Sequence, residues 1–169
     1  MTRRELEVTD RDAIRSILDK CKILHLGLVD QGMPYVLAMN YGYELNDDRL
    51  TLYLHSSVKG YKLDVIRNNG LCCFEMECDV IPFSGDLPCQ FGTAYSSLIG
   101  RGTIEIIENP EEKTKMMSLF MKTQTGQDFS FTERLVSVVT VLRITVDEYT
   151  AKCRPLPETK KTTGSAPNP

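Results

Sequence analysis

The sequence of 169 residues has no long apolar run. Its longest, such as Ile23–Val29 (ILHLGLV), falls far short of the ~20 residues that a membrane helix needs. No uniform charge is present either: the net charge of −3 gives no basic field of the kind that non-specific nucleic-acid binding relies on, so any anion site must be local. The first ten residues, MTRRELEVTD, carry basic side chains but no apolar stretch behind them, which excludes a secretory signal or membrane anchor there. A cytoplasmic protein is the expectation.

Histidine is scarce, with two residues, and none of the six cysteines forms a C-x-x-C pair. The usual tetrahedral zinc spacing is therefore missing, and the cysteines read as free thiols with no metal centre expected. His25, between Leu24 and Leu26, reads as a satisfied core or interface histidine. The G-x-x-x-x-G-K-[ST] phosphate loop is absent, and no G-x-S-x-G elbow supports a serine triad.

What is present is a series of strands. TDRDAIRSILDK has Thr9 or Asp10 as N-cap and sets Ile14, Ile17 and Leu18 on one helical face. KILHLGLV, PYVLAMNYGYEL and TLYLHSS follow as a meander. SVKGYKLDVIRNNG reads as a short helix with Ser57 as its cap and Asn69-Gly70 as its stop. LCCFEMECDV and SSLIGRGTIEIIE are further strands, the second interrupted by Gly100 and Gly102, where a bulge or close backbone approach is expected. Between them IPFSGDLPCQFGTA reads as a loop. NPEEKTKMMSLFMK, capped by Asn109 with Pro110 at its first position, turns Met116, Met117, Phe120 and Met121 to a core, and VSVVTVLRITVDEYTAK closes the sheet. Six strands with helices inserted at three points predict a mainly β fold, a six-stranded antiparallel barrel, over residues 1–154, with a polar, disordered tail at 155–169.

LYLHSSVKGYKLD concentrates the donors. Period two places Leu50, Leu52 and Leu54 on one face and His55 on the other; beyond it, the free amides of a helix mouth join Ser56, Ser57, Lys59 and Lys62. Such a junction suits a phosphate monoester, although a simple cap with solvated lysines would use the same residues.

Three motifs in order, GMPYVLAMNYGY, LYLHSSVKGYKLDVIRNN and YSSLIGRGTIEII, resemble the flavin-binding split-barrel proteins related to pyridoxamine 5'-phosphate oxidase, and within them the nitroimidazole-resistance branch. The resemblance runs from about residue 3 to residue 146, with H-S-x-x-x-G-x-K as its most specific part. It implies a Greek-key split barrel that forms a homodimer, with FMN, or alternatively FAD, at the subunit interface. His55, Ser56, Lys59, Gly60 and Lys62 would then surround the phosphate and ribityl end. Val36, Leu37, Ala38 and Met39 would run along the isoalloxazine, and Ser97 would complete the site, from the other subunit. His55 has a second implied role, protonating a nitro group during reduction. The implied activity is reduction of small nitroaromatics such as 5-nitroimidazoles, with electrons from a nicotinamide or another donor. The alternative is a flavin- or haem-binding carrier or sensor without turnover. The strand VLAMNYGY lacks the basic residues that grip phosphate in the oxidase itself, which sets this chain apart from the oxidase reaction.

Overall fold

The computed structural model describes residues 4–47 and 49–157, and the expected tail beyond residue 157 lies outside them. In chain order the elements are β1 (Glu7–Val8), α1 (Arg11–Lys20), β2 (Ile23–Asp30), β3 (Met33–Asn40), β4 (Gly42–Asn46), β5 (Arg49–Ser57), α2 (Tyr61–Asn68), β6 (Leu71–Phe83), β7 (Gly92–Ile107), α3 (Pro110–Thr125), α4 (Glu133–Val136) and β8 (Val139–Arg154). Every strand pair is antiparallel, in the order β3-β2-β6-β7-β8-β5-β4, with β1 added to the far end of β8. β3 and β4 stand at opposite ends of that order yet are consecutive in the chain. Only Tyr41 separates them, so the sheet must curl until its edges meet, as in a split barrel.

Eight strands are thus present among the described residues, rather than six. PYVLAMNYGYEL divides at Tyr41, which is fully buried and donates its hydroxyl to the Leu18 carbonyl at 2.7 Å. That satisfied hydroxyl lets the aromatic ring sit in the core where the chain changes sheet edge. The eighth strand is β1, too short to show a period. The expected loop between β6 and β7 is also shorter, since Ile81, Pro82 and Phe83 pair with Ala94, Thr93 and Gly92 after a register shift beyond Cys78. There β6 pairs with β7 alone, and a proline is tolerated on such an open edge.

The leucines of β2 and β5 meet Ile14, Ile17 and Leu18 of α1 inside the barrel, together with Phe74, Met76, Leu98 and Ile144. Asp10 caps α1 through the Ala13 amide at 2.8 Å. A second cluster lies under α3, where Met116, Met117 and Phe120 cover Tyr53 and Val141. Consequently β5 is covered on both faces. All six cysteines are unpaired, and no helix among the described residues is long and apolar enough to cross a membrane.

Candidate functional site

The end of β5 is pinned by β8, with His55, Ser56 and Ser57 opposite Val141, Thr140 and Val139. His55 turns away from the leucines, as period two requires, and packs half-buried against α3. Its ring stands edge-on to Phe120 with centroids 4.7 Å apart. Its Nδ1 is buried without a hydrogen-bond partner. Burial, and then the charge of Lys62, push its pKa below the ordinary imidazole value, so the ring is neutral at physiological pH.

Ser57 does not cap α2. It ends β5, its hydroxyl donating to the Lys59 carbonyl at 2.7 Å, and the helix begins four residues later, at Tyr61, behind Gly60. That residue adopts φ +149° and ψ 151°, a conformation available in practice to glycine alone. No side chain caps the helix, so its first amides stay open to an incoming acceptor. Lys62, in the first turn, reaches back to the buried Ser56 and donates to its hydroxyl at 2.9 Å. Lys59 is exposed at the same junction.

Beside this mouth a cavity of about 330 Å³ is lined by Leu37, Ala38, Met39, Asn40, Ile23, His55 and Lys62. Five of the expected site residues therefore share one cavity, and Ser56, Lys59 and Gly60 adjoin it. Val36 does not: it faces a separate open groove of about 750 Å³ with Leu71, Ile99 and Tyr149 on the outer sheet face. Ser97 does not line the His55 cavity either: on β7 it pairs with Glu77 of β6 and Lys152 of β8, three strands across the sheet from Ala38.

Phe120 and Asn40 belong to the site and were not anticipated. The first lay within the apolar stripe of α3, whose target face the sequence does not reveal. The second directly follows VLAM and bonds the Lys22 carbonyl at 2.9 Å. His25 is neither buried nor in the core, because period two turns it outward from Leu24 and Leu26; it bonds Glu75 there.

A sheet curled until its edges meet, with an uncapped helix mouth and Lys62 beside one cavity, defines a split barrel with a candidate ligand groove. The pyridoxamine 5'-phosphate oxidase family model matches residues 10–153, and the chain belongs to that family. It is similar to the structure of a candidate 5-nitroimidazole antibiotic resistance protein from Bacteroides thetaiotaomicron, with 32% identity over 87% of this chain and 86% of that one and a TM-score of 0.73. The flavocytochrome Anf3 of Azotobacter vinelandii shares the fold at 17% identity, covering 93% of this chain and 73% of that one, TM-score 0.75. So does an FAD- and haem-binding protein of Mycobacterium smegmatis, at 18% identity over 87% and 72%, TM-score 0.70. Among proteins of curated function, none matches by sequence.

Proposed function

We propose that this chain binds a flavin, FMN or FAD, in the groove between β3 and the α2 mouth and reduces small nitroaromatics such as 5-nitroimidazoles. The observation that carries the reading is the Lys62–Ser56 pair set at an uncapped helix N-terminus beside the Leu37–Met39 wall. An ammonium, a hydroxyl and free amides converging on one point fit a phosphate, and an apolar strand face fits a flat ring system. The 32% identical relative, a candidate 5-nitroimidazole resistance protein, supports the substrate class.

In this reading Lys62 and the α2 amides hold the phosphate, Ser56 orients the lysine, and Lys59 adds charge at the rim. The β3 edge at Leu37, Ala38 and Met39 lines one side of the ring system and keeps water from it. A bound flavin supplies storage and delivery of the two electrons taken from a nicotinamide donor. His55 acts in its neutral form, contacting and orienting the bound molecules; a lowered pKa argues against a proton held ready for transfer. Ser97 joins the site from a second copy, which makes the working unit a homodimer.

The test is the absorption spectrum and extracted-cofactor mass of the purified protein, then anaerobic stopped-flow mixing with NADH or NADPH followed by a 5-nitroimidazole. A yellow protein whose flavin is reduced by the nicotinamide and reoxidised by the drug supports the reading. A colourless protein that takes up no flavin sinks it. Flavin that binds but never turns over leaves a carrier or sensor module instead.

A further inference from the structure

His25 on β2 pairs directly with Glu75 on β6, and Glu77 lies two residues further along the same strand. Period two puts all three side chains on the outer face of the sheet. His25 Nδ1 lies 3.2 Å from Glu75 Oε2 and 3.7 Å from Glu77 Oε2. One ligand atom from each residue falls within 4.8 Å of the other two. Metal–nitrogen and metal–oxygen bonds of ~2.0–2.2 Å set the edges of a coordination polyhedron at about 3–3.6 Å. The imidazole therefore already stands near one edge length from each carboxylate, and a side-chain rotation closes the third edge.

Neither glutamate is paired with a lysine or arginine among the described residues. The nearby ammonium groups are engaged elsewhere: Lys20 holds Asp79 at 2.6 Å and Lys22 donates to the Thr123 carbonyl at 2.7 Å. Like charges brought together on a sheet face are destabilising, and among the described residues His25 is the one side chain of another strand bonded to them. All three side chains are 40–45% exposed, so an ion held by them would keep water at its remaining positions.

We propose that His25, Glu75 and Glu77 form a three-ligand site for a divalent first-row transition-metal cation of the zinc type. One imidazole nitrogen and two carboxylate oxygens suit Zn²⁺, Mn²⁺, Fe²⁺ or Co²⁺, whereas Mg²⁺ and Ca²⁺ prefer oxygen donors alone. The ion would clamp β2 to β6. It would also lie one strand from the flavin groove, because His25 pairs on its other side with Ala38, which lines that groove. The site uses no residue of the cofactor groove and stands whether or not a flavin binds.

Cobalt is the probe, since six free cysteines compete for soft cations and a cobalt–thiolate bond reveals itself by charge-transfer absorption. Co²⁺ is titrated into the full-length protein and into Glu75→Gln/Glu77→Gln, followed by visible absorption and by thermal midpoint. Unchanged circular dichroism and a metal-free midpoint no lower than that of the wild type establish that the exposed substitutions leave the fold intact. The expected result is one equivalent with ligand-field bands, no thiolate charge transfer, and a raised midpoint, with affinity falling roughly tenfold or more in the variant. Uptake that is equal in wild type and variant, uptake marked by thiolate absorption, or no uptake at about millimolar cobalt would each overturn the assignment.

Discussion

At His55 the positive charge is disfavoured twice, by burial against Phe120 and by the Lys62 ammonium. The folded chain therefore refuses a proton that the unfolded chain accepts below about pH 6.5, and this share of stability is lost as pH falls through that value. Glu75 acts with the opposite sign, because its raised pKa lets the folded state take up a proton on the same descent. Comparing wild type with His55→Asn cancels the Glu75 contribution. Between about pH 7.5 and pH 5 the thermal midpoint of the wild type should fall further than that of the variant, and parallel curves would disprove the neutral imidazole. Lys62 makes a separate case. Removing a charge-assisted contact with phosphate costs about 1.5–3 kcal/mol, so Lys62→Ala should weaken flavin binding by roughly tenfold to a hundredfold in an equilibrium titration. Gly60 bears on the fold itself. A Cβ there would touch nothing, yet φ +149° is strained for any other residue. Gly60→Ala should cost about 1–3 kcal/mol in urea unfolding.

Among the elements, what was legible in the sequence tracks how local its cause is. The Asp10 cap and the Ile14, Ile17 and Leu18 face of α1 follow from residues within one helix, as does the core-facing side of α3. The interruption of β7 was equally readable. At Gly102 the register against β8 shifts, and a Cβ would meet the Thr145 carbonyl oxygen and approach Val146 Cα to 3.0 Å. Because backbone rather than a flexible side chain stands in the way, Gly102→Ala should lower stability by about 1–3 kcal/mol, measurable as a reduced thermal midpoint. What failed to show were features made by distant segments. No local pattern marks Tyr41 as the break between β3 and β4, since its reason is the Leu18 carbonyl on another element. Ser57 looked like a cap because serine commonly is one, but the chain needed Val58–Gly60 to turn from strand into helix. The junction of His55, Ser56 and Lys62 was readable as one cluster because it spans eight residues. Phe120 and the His25–Glu75–Glu77 cluster were not, because they assemble across elements.

At the scale of the whole molecule, one chain supplies only part of the flavin site in the proposed reading. Its cavity of about 330 Å³ lies at the low end of ligand sites, which span roughly 300–1,000 Å³. Ser97 lies outside that cavity, and in the proposed reading it reaches the flavin from a second copy. The outer face of the sheet has the character that such a copy requires, with Val36, Leu71 and Ile99 each more than half exposed around one open groove. Adding a charge to that face should separate the copies without disturbing the core: Leu71→Lys, at a residue 64% exposed, should leave the monomer folded. If the flavin is shared between subunits, light scattering should then report a monomer, and the flavin-to-protein absorbance ratio should fall with it. A Leu71→Lys monomer that keeps its full complement of flavin would mean that the groove beside α2 is sufficient alone and that Ser97 has no part in it.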